Sequence, residues 1–391
     1  MTTTEQEFLR IFRAAVLGEP LPDGFSVGEA GALFALARRH DLGHLLGGVL
    51  SRHGDASDEK IRAALERERL RAVWRAGVLS HEEERITALL DREGIPYIPL
   101  KGAVVRPLWP EPWMRTSCDL DLLVHREDAA AAATLICENL GYTAKGETYH
   151  NHSLYSEGEA VHLELHFSLT EGGTADPALS RVWDYAAPLR GSRLALSPAF
   201  LLFHLVSHLA THFLNGGGGA RAIADLYLVR AMLEIDGEEF AALAREAGLL
   251  TFARAVFALS EVWFSDGTPT AETDLLSERL LRGCLYGDTD RRAAVERAKA
   301  TAPAARREAR RARRAYLRAR LFPAREQLLV LYPRLARHGW LLPLCTLHRW
   351  GRLLLGGRLR LTLKRRRAAA RVTDEAAARE RELLSVLGLL P

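Results

Sequence analysis

Residues Leu100–Val124 read LKGAVVRPLWPEPWMRTSCDLDLLV, and the folding of the last seven residues decides the architecture. Cys118–Val124 alternates acid with apolar residue and then turns wholly apolar, which predicts a strand anchored in a core. A strand sends alternate side chains to one face, so Asp119 and Asp121 point the same way, about 6 to 7 Å apart along the chain. Two carboxylates at that spacing can hold divalent cations. Lys101-Gly102 lies upstream, and Arg115 and Ser117 stand four and two residues before Asp119. Cations and a hydroxyl beside a carboxylate pair suit a phosphate-bearing ligand that arrives with its metal. Two solvated acids on an edge strand are the plain alternative.

Outward from this stretch, the chain is helical on both sides of a mixed segment. Before it, Phe8, Leu9, Phe12 and Val16, then Leu33, Ala35, Leu36 and Leu42, recur at helical spacing. Gly18–Gly24 breaks the two runs, and a third helix is predicted from about Asp58 to Leu90. His40-Asp41 falls near a helix end and reads as capping or plain exposure. Ile95–Leu100 predicts a short strand, Gly102–Leu108 a helix start, and Pro107, Pro110 and Pro112 a loop. Asp128–Leu140 predicts a helix ended by Gly141. Tyr142–Tyr155 and Ala160–Leu169 predict a hairpin. Ser197-Pro198 starts a helix to about Leu214, and further helices are predicted over 220–233, 237–247 and 251–264, with a further pair to about 320 and basic helices beyond. Gly216–Gly219 reads as a flexible break, not a phosphate loop, because it follows a helix and lacks the Lys-Ser/Thr ending.

A chain of 391 residues exceeds a single core. Four regions are expected: helical 1–92, an α/β core at 93–196, a helical domain at 197–300 and a basic helical region at 301–391. The net charge of +4 conceals a division. Residues 301–370 hold 19 Arg or Lys against two Glu, +17, and the remainder holds 34 against 47, −13. That region could meet nucleic acid, an anionic surface or the acidic body. Ala304–Arg320 carries Arg on nearly every face, and Leu341–Leu363 is more amphipathic, with Trp340 and Trp350 beside Arg349 and Arg352. Cys118, Cys137, Cys284 and Cys345 form no CxxC pair, the start has no signal-peptide pattern and no window suits a membrane span. A cytoplasmic protein is expected.

Val161–Phe167, VHLELHF, is a second alternating strand with His162, Glu164 and His166 on its polar face. Glu164 could be a third carboxylate facing Asp119 and Asp121 across a sheet. A polar outer face explains the pattern without a ligand, and a His/Glu/His zinc site is a further reading. His204, His208 and His212 share one helical face. Arg221 and Asp225, four apart, are either a helix-surface pair or pocket residues.

Taken together, GIPYIPLKG, R-x-S-x-DLDLLV, the GY pair, LELHFSL and HLVSHLATHF…RAIADLYLV resemble the uncharacterised nucleotidyltransferase family of the polymerase-β-like superfamily. LFPAREQLLVLYP extends the likeness. The resemblance implies an α+β fold: a small mixed sheet with flanking helices between N- and C-terminal helical regions. It implies a Mg-dependent enzyme, with two ions and Mn as an alternative, that transfers a nucleoside monophosphate from a nucleoside triphosphate to an acceptor hydroxyl and releases pyrophosphate. Asp119, Asp121 and Glu164 would be the catalytic, metal-holding acids. Lys101, Gly102, Arg115 and Ser117 would hold the triphosphate, and His166, His208, Arg221 and Asp225 would line the substrate pocket. One departure stands out: better-known members carry a Gly-Ser pair shortly before the acids, whereas Lys101-Gly102 lies further upstream and no Ser follows it. A catalytically inactive binding or partner protein on the same scaffold is the alternative.

Overall fold

The computed structural model describes residues 1–53, 59–148, 150–283, 289–300, 338–355 and 371–390. Four helices come first: α1 (Thr3–Leu17), α2 (Ala30–Arg39), α3 (Gly43–His53) and α4 (Glu59–Arg92). Thr2 caps α1 in a reciprocal box, its hydroxyl accepting from the Glu5 amide while the Glu5 carboxylate accepts from the Thr2 amide. The sequence reading ran Leu42 on from the second helix. The chain instead breaks at Asp41, whose φ of 57° no helix accommodates, and α3 starts afresh at Gly43.

The mixed segment then lays down β1 (Tyr97–Pro99), α5 (Gly102–Val105), β2 (Asp119–Val124), α6 (Ala129–Leu140), β3 (Thr143–Glu147), β4 (Asn151–Tyr155), β5 (His162–His166), α7 (Asp176–Leu179), β6 (Ala186–Arg190) and β7 (Arg193–Leu196). They form one seven-stranded sheet in the order β3-β4-β5-β2-β1-β7-β6. It is mixed: β2 runs parallel to β5, β1 parallel to β7, and the other neighbours are antiparallel. The α+β class expected from the sequence is the class found. Tyr142–Tyr155, expected as one arm of a hairpin, is itself a hairpin, and β4 pairs onward with β5. The β6/β7 hairpin was not foreseen; its strands are short, half exposed and carry little apolar alternation.

Helices follow: α8 (Pro198–Leu214), α9 (Ala220–Met232), α10 (Gly237–Glu246), α11 (Leu250–Phe264), α12 (Ala271–Leu281) and α13 (Thr289–Ala300). Beyond them come α14 (Leu342–Leu355), after a single 3-10 turn at Gly339–Leu341, and α15 (Asp374–Val386), which packs on α13 and α12. The helix expected over 304–320 and the 321–333 segment lie outside the described residues, as does the end of the 341–363 helix.

Two cores flank the sheet. On one face Leu120, Leu122 and Val124 of β2 and Leu163 and Leu165 of β5 meet Ile86 and Leu89 of α4 and Ala132 and Ile136 of α6. On the other, Ile98, Leu100 and Leu123 join a larger core that includes Phe8 and Phe12 of α1, Leu45 of α3, Phe203 of α8, Ile223 of α9 and Phe252 of α11. Asp119 and Asp121 share Leu123's parity and therefore this second face. They stand where the apolar packing between sheet and helices gives way to a cleft.

Candidate active site

The parallel pairing of β2 with β5 builds the site. Asp119 is in register with His162, Asp121 with Glu164 and Leu123 with His166. Partners in register point to the same side of a sheet, so Asp121, Glu164 and His166 converge. Their ligand atoms all lie within 4.8 Å of one another. His166 Nε2 stands 2.9 Å from Asp121 Oδ1 and 3.3 Å from Glu164 Oε2. Lys101 Nζ donates to the same Asp121 Oδ1 at 3.1 Å. Asp119 lies one step back on β2, half-buried and outside that cluster, within the same cleft.

The electrostatics follow from burial and neighbours. Burial alone would raise the Asp121 carboxyl, but the Lys101 charge and the hydrogen bond from His166 outweigh it and hold its pKa well below the usual carboxylate range. Burial would lower Lys101, and the charges of Asp121 and Asp119 reverse that and raise it. Asp119 is pushed up by burial and by the charge of Asp121, against the pull of Lys101. Glu164 is lowered, first by the hydrogen bond from His166. Burial depresses His166, and its bonds to Asp121 and Glu164 more than compensate, raising it.

The loop ahead of β2 is held by contacts far apart in sequence. Lys101 adopts φ 41° and ψ −107°, a conformation that costs a non-glycine residue about 1–3 kcal/mol. It persists because Leu100 N donates to Asp121 O at 3.0 Å while the ammonium is drawn to the carboxylate. Next to it, a Cβ on Gly102 would sit 2.8 Å from Arg115 Nη1 and 3.4 Å from Ser117 Oγ. Only glycine lets the guanidinium come so close to the backbone. Arg115 is fixed from behind by Asp225 of α9, Nη2 to Oδ2 at 2.9 Å, and the Trp109 indole donates to the other oxygen at 3.0 Å. Arg106 donates to Ser117 Oγ at 3.0 Å, and Ser117 donates to Asp119 O at 3.1 Å.

A cleft of about 300 Å³ gathers these groups. Its sheet side carries Lys101, Gly102, Arg115, Ser117, Asp119, Asp121 and Glu164. Its helix side carries Leu205, His208, Leu209 and His212 of α8, Gly218 and Gly219, and Arg221, Ala222 and Asp225 of α9. His166 is 5% exposed and sits behind the acids instead of lining the cleft. His208 Nδ1 is 3.3 Å from Glu171 Oε1, and its Nε2 is 3.0 Å from His212 Nε2. Burial, the first cause, lowers both His208 and His212, the latter to about 4, so His212 is neutral at pH 7. A larger cavity of about 550 Å³ between α12, α13 and α15 shares no lining residue with this cleft, and its Arg279 is matched by Glu380 at 2.9 Å.

Several sequence readings change. Arg221 and Asp225 are not a surface pair: Asp225 is buried against Arg115 and Trp109, and Arg221 reaches the Thr116 carbonyl at 2.6 Å and Asp41 at 3.5 Å. Gly216–Gly219 is a packed turn. A Cβ on Gly216 would meet the Arg292 backbone at 2.6 Å, and one on Gly218 the Phe213 ring at 2.8 Å, both at positive φ. His162 stacks on Tyr155, with ring centroids 4.4 Å apart, and takes no part in the His/Glu/His zinc reading. His40 is buried, not exposed, with Nε2 3.2 Å from the Leu281 carbonyl. Glu171 and the pairing of His166 with Asp121 escaped the sequence reading; the His166 alternation signal was present, but its partner was not visible.

Acids on a sheet, cations on the loop above them and a helical wall opposite meet in one cleft. Residues 27–265, more than half of the chain, match the family described as uncharacterised nucleotidyltransferase, and the chain belongs to that family. No curated protein matches. Among solved structures, it is similar to an antigenic nucleotidyltransferase-like protein from Paracoccidioides brasiliensis at 17% identity, covering 44% of this chain and 85% of that one with a TM-score of 0.29. So slight a structural likeness carries no argument.

Proposed function

We propose that this nucleotidyltransferase transfers a nucleoside monophosphate from a nucleoside triphosphate to an acceptor hydroxyl on a small molecule, a sugar or a protein, with Mg²⁺ or Mn²⁺ as its metal. One observation carries the reading: Asp121 and Glu164 are register partners, both reached by His166 from behind, in one cleft with Lys101 and Arg115.

The donor set of two carboxylates and an imidazole suits a divalent cation, with the oxygens matched to Mg²⁺ and the nitrogen widening the range toward Mn²⁺. Asp121 and Glu164 would hold it, with His166 as third ligand or as the group that orients both acids, and Asp119 would serve a second ion at the mouth. Such ions, when bound, polarise the α-phosphate and screen the charge of the leaving pyrophosphate. Lys101 and Arg115 would take the phosphate oxygens, with Ser117 and the Gly102 amide alongside. The acceptor oxygen attacks the α-phosphorus, the bond to the bridging oxygen breaks, and pyrophosphate leaves with the electron pair. Glu164, partly exposed to the cleft, would accept the acceptor's proton. Binding and alignment supply most of the rate, because this chemistry asks the protein for position and charge.

A second reading has its own observation. Asp121 Oδ1 already receives both Lys101 and His166, so that carboxylate has its partners without a metal, as an inactive binding protein could tolerate. Titration with Mn²⁺, followed by calorimetry with each nucleoside triphosphate in the presence of Mg²⁺, separates the two. Metal-dependent nucleotide binding abolished by Asp121→Asn supports the enzyme. Absence of metal and nucleotide binding by the wild-type chain defeats it.

A further inference from the structure

The sequence between Glu326 and Asp374 contains no acid, although the whole chain has 49, and it holds eleven Arg or Lys, 14 Leu and two Trp. Its described part, 338–355, shows how these residues are presented. Trp340 is 71% exposed, Leu342 40%, Leu344 57% and Leu347 65%. By the 3.6-residue period, Leu342, Leu344, Leu347 and Trp350 fall on one broad side of α14. Soluble proteins rarely leave so continuous an apolar patch in water.

We propose that α14, with Trp340 at its start, is an interfacial helix that docks on an anionic phospholipid surface. The choice of occupant rests on the pairing of charge with exposed leucine. A strongly cationic, acid-free stretch calls for a polyanion, and leucines 57% and 65% exposed call for a partner with an apolar interior. A lipid headgroup layer over acyl chains offers both at once. Nucleic acid offers the charge but nothing to bury leucine, since its recognition rests on phosphate contacts, base edges and aromatic stacking. A neutral protein groove offers the reverse. Tryptophan at the end of such a helix belongs at the headgroup level. No helix among the described residues is long and apolar enough to cross a membrane, so the association is with the surface. The inference stands apart from the catalytic reading; it uses none of the cleft residues.

The test is co-sedimentation of the full chain with vesicles of phosphatidylglycerol and phosphatidylcholine in equal parts, and with phosphatidylcholine alone. Binding is expected to the first and not the second, to weaken as salt rises, and to shift tryptophan emission to the blue. Leu344→Asp with Leu347→Asp should weaken vesicle affinity about tenfold or more. Because both leucines are exposed, circular dichroism and nucleotide binding should be unchanged. Equal binding to both vesicle types, or vesicle binding indifferent to the double variant, overturns the proposal. So does retention on duplex DNA that the variant leaves intact with no vesicle binding, which would assign the charge to nucleic acid. A dimer lost in the variant, again without vesicle binding, would make a second copy the occupant and also overturn it.

Discussion

Asp121 is the most constrained residue of the cleft: 4% exposed, held low, and bonded to Lys101 and His166 through one oxygen. Asp121→Asn keeps the shape and removes the charge. It is expected to lower pyrophosphate release by about a thousandfold or more and to abolish Mn²⁺ binding. Glu164→Gln should weaken metal binding less and slow transfer with little change in nucleotide affinity. If Asp121→Asn keeps wild-type turnover, the acids are structural. Asp225 makes a different prediction. Arg115 and Trp109 both depend on it, so Asp225→Ala leaves a buried guanidinium and an indole N–H unpaired. A loss of about 3–5 kcal/mol in urea denaturation is expected. At this scale Asp119, Asp121 and Glu164 were legible because a two-residue period is local. Asp225's role was not, because its partner lies 110 positions away.

At the scale of elements, the junction of α2 and α3 carries two buried histidines. His40 is lowered to about 4, chiefly by burial, and His44, bonded through Nε2 to the Met114 carbonyl, is also lowered to about 4 by burial. The unfolded chain takes up these protons near pH 6.5 and the folded chain only near 4. Their contribution to stability is therefore complete above about pH 6.5 and declines as pH falls toward 4. Thermal unfolding across that window should show the melting temperature dropping with acid, and His44→Gln should flatten the slope. A wild-type slope in the variant would remove His44 from the account. Strong elements such as α6, ended by Gly141 at φ 73°, and α8, capped by Ser197, were readable from caps and period. The β6/β7 hairpin was not, because half-exposed short strands are specified by their neighbours and not by their own alternation.

For the whole molecule, the larger core joins α1–α3, one sheet face and the α8–α12 helices, and the cleft draws its opposite wall from α8 and α9. A fragment ending at residue 196 would lose that wall and uncover Ile98, Leu100 and Leu123. It should bind a hydrophobic dye and show no nucleotide binding in a titration that the full chain passes; a monomeric, dye-silent fragment with native affinity would refute the dependence. By itself, the sequence determined the strands that carry the acids, the side each acid faces and the helical character of the flanks, because propensity and periodicity act over a few residues. Only the tertiary structure decided that Glu164 sits beside Asp121 with His166 bonded to both, that Asp225 holds Arg115, and that a glycine turn and two histidines line the far wall of the cleft. Those outcomes depend on strand register and helix packing between distant segments, where desolvation and charge pairing are settled together.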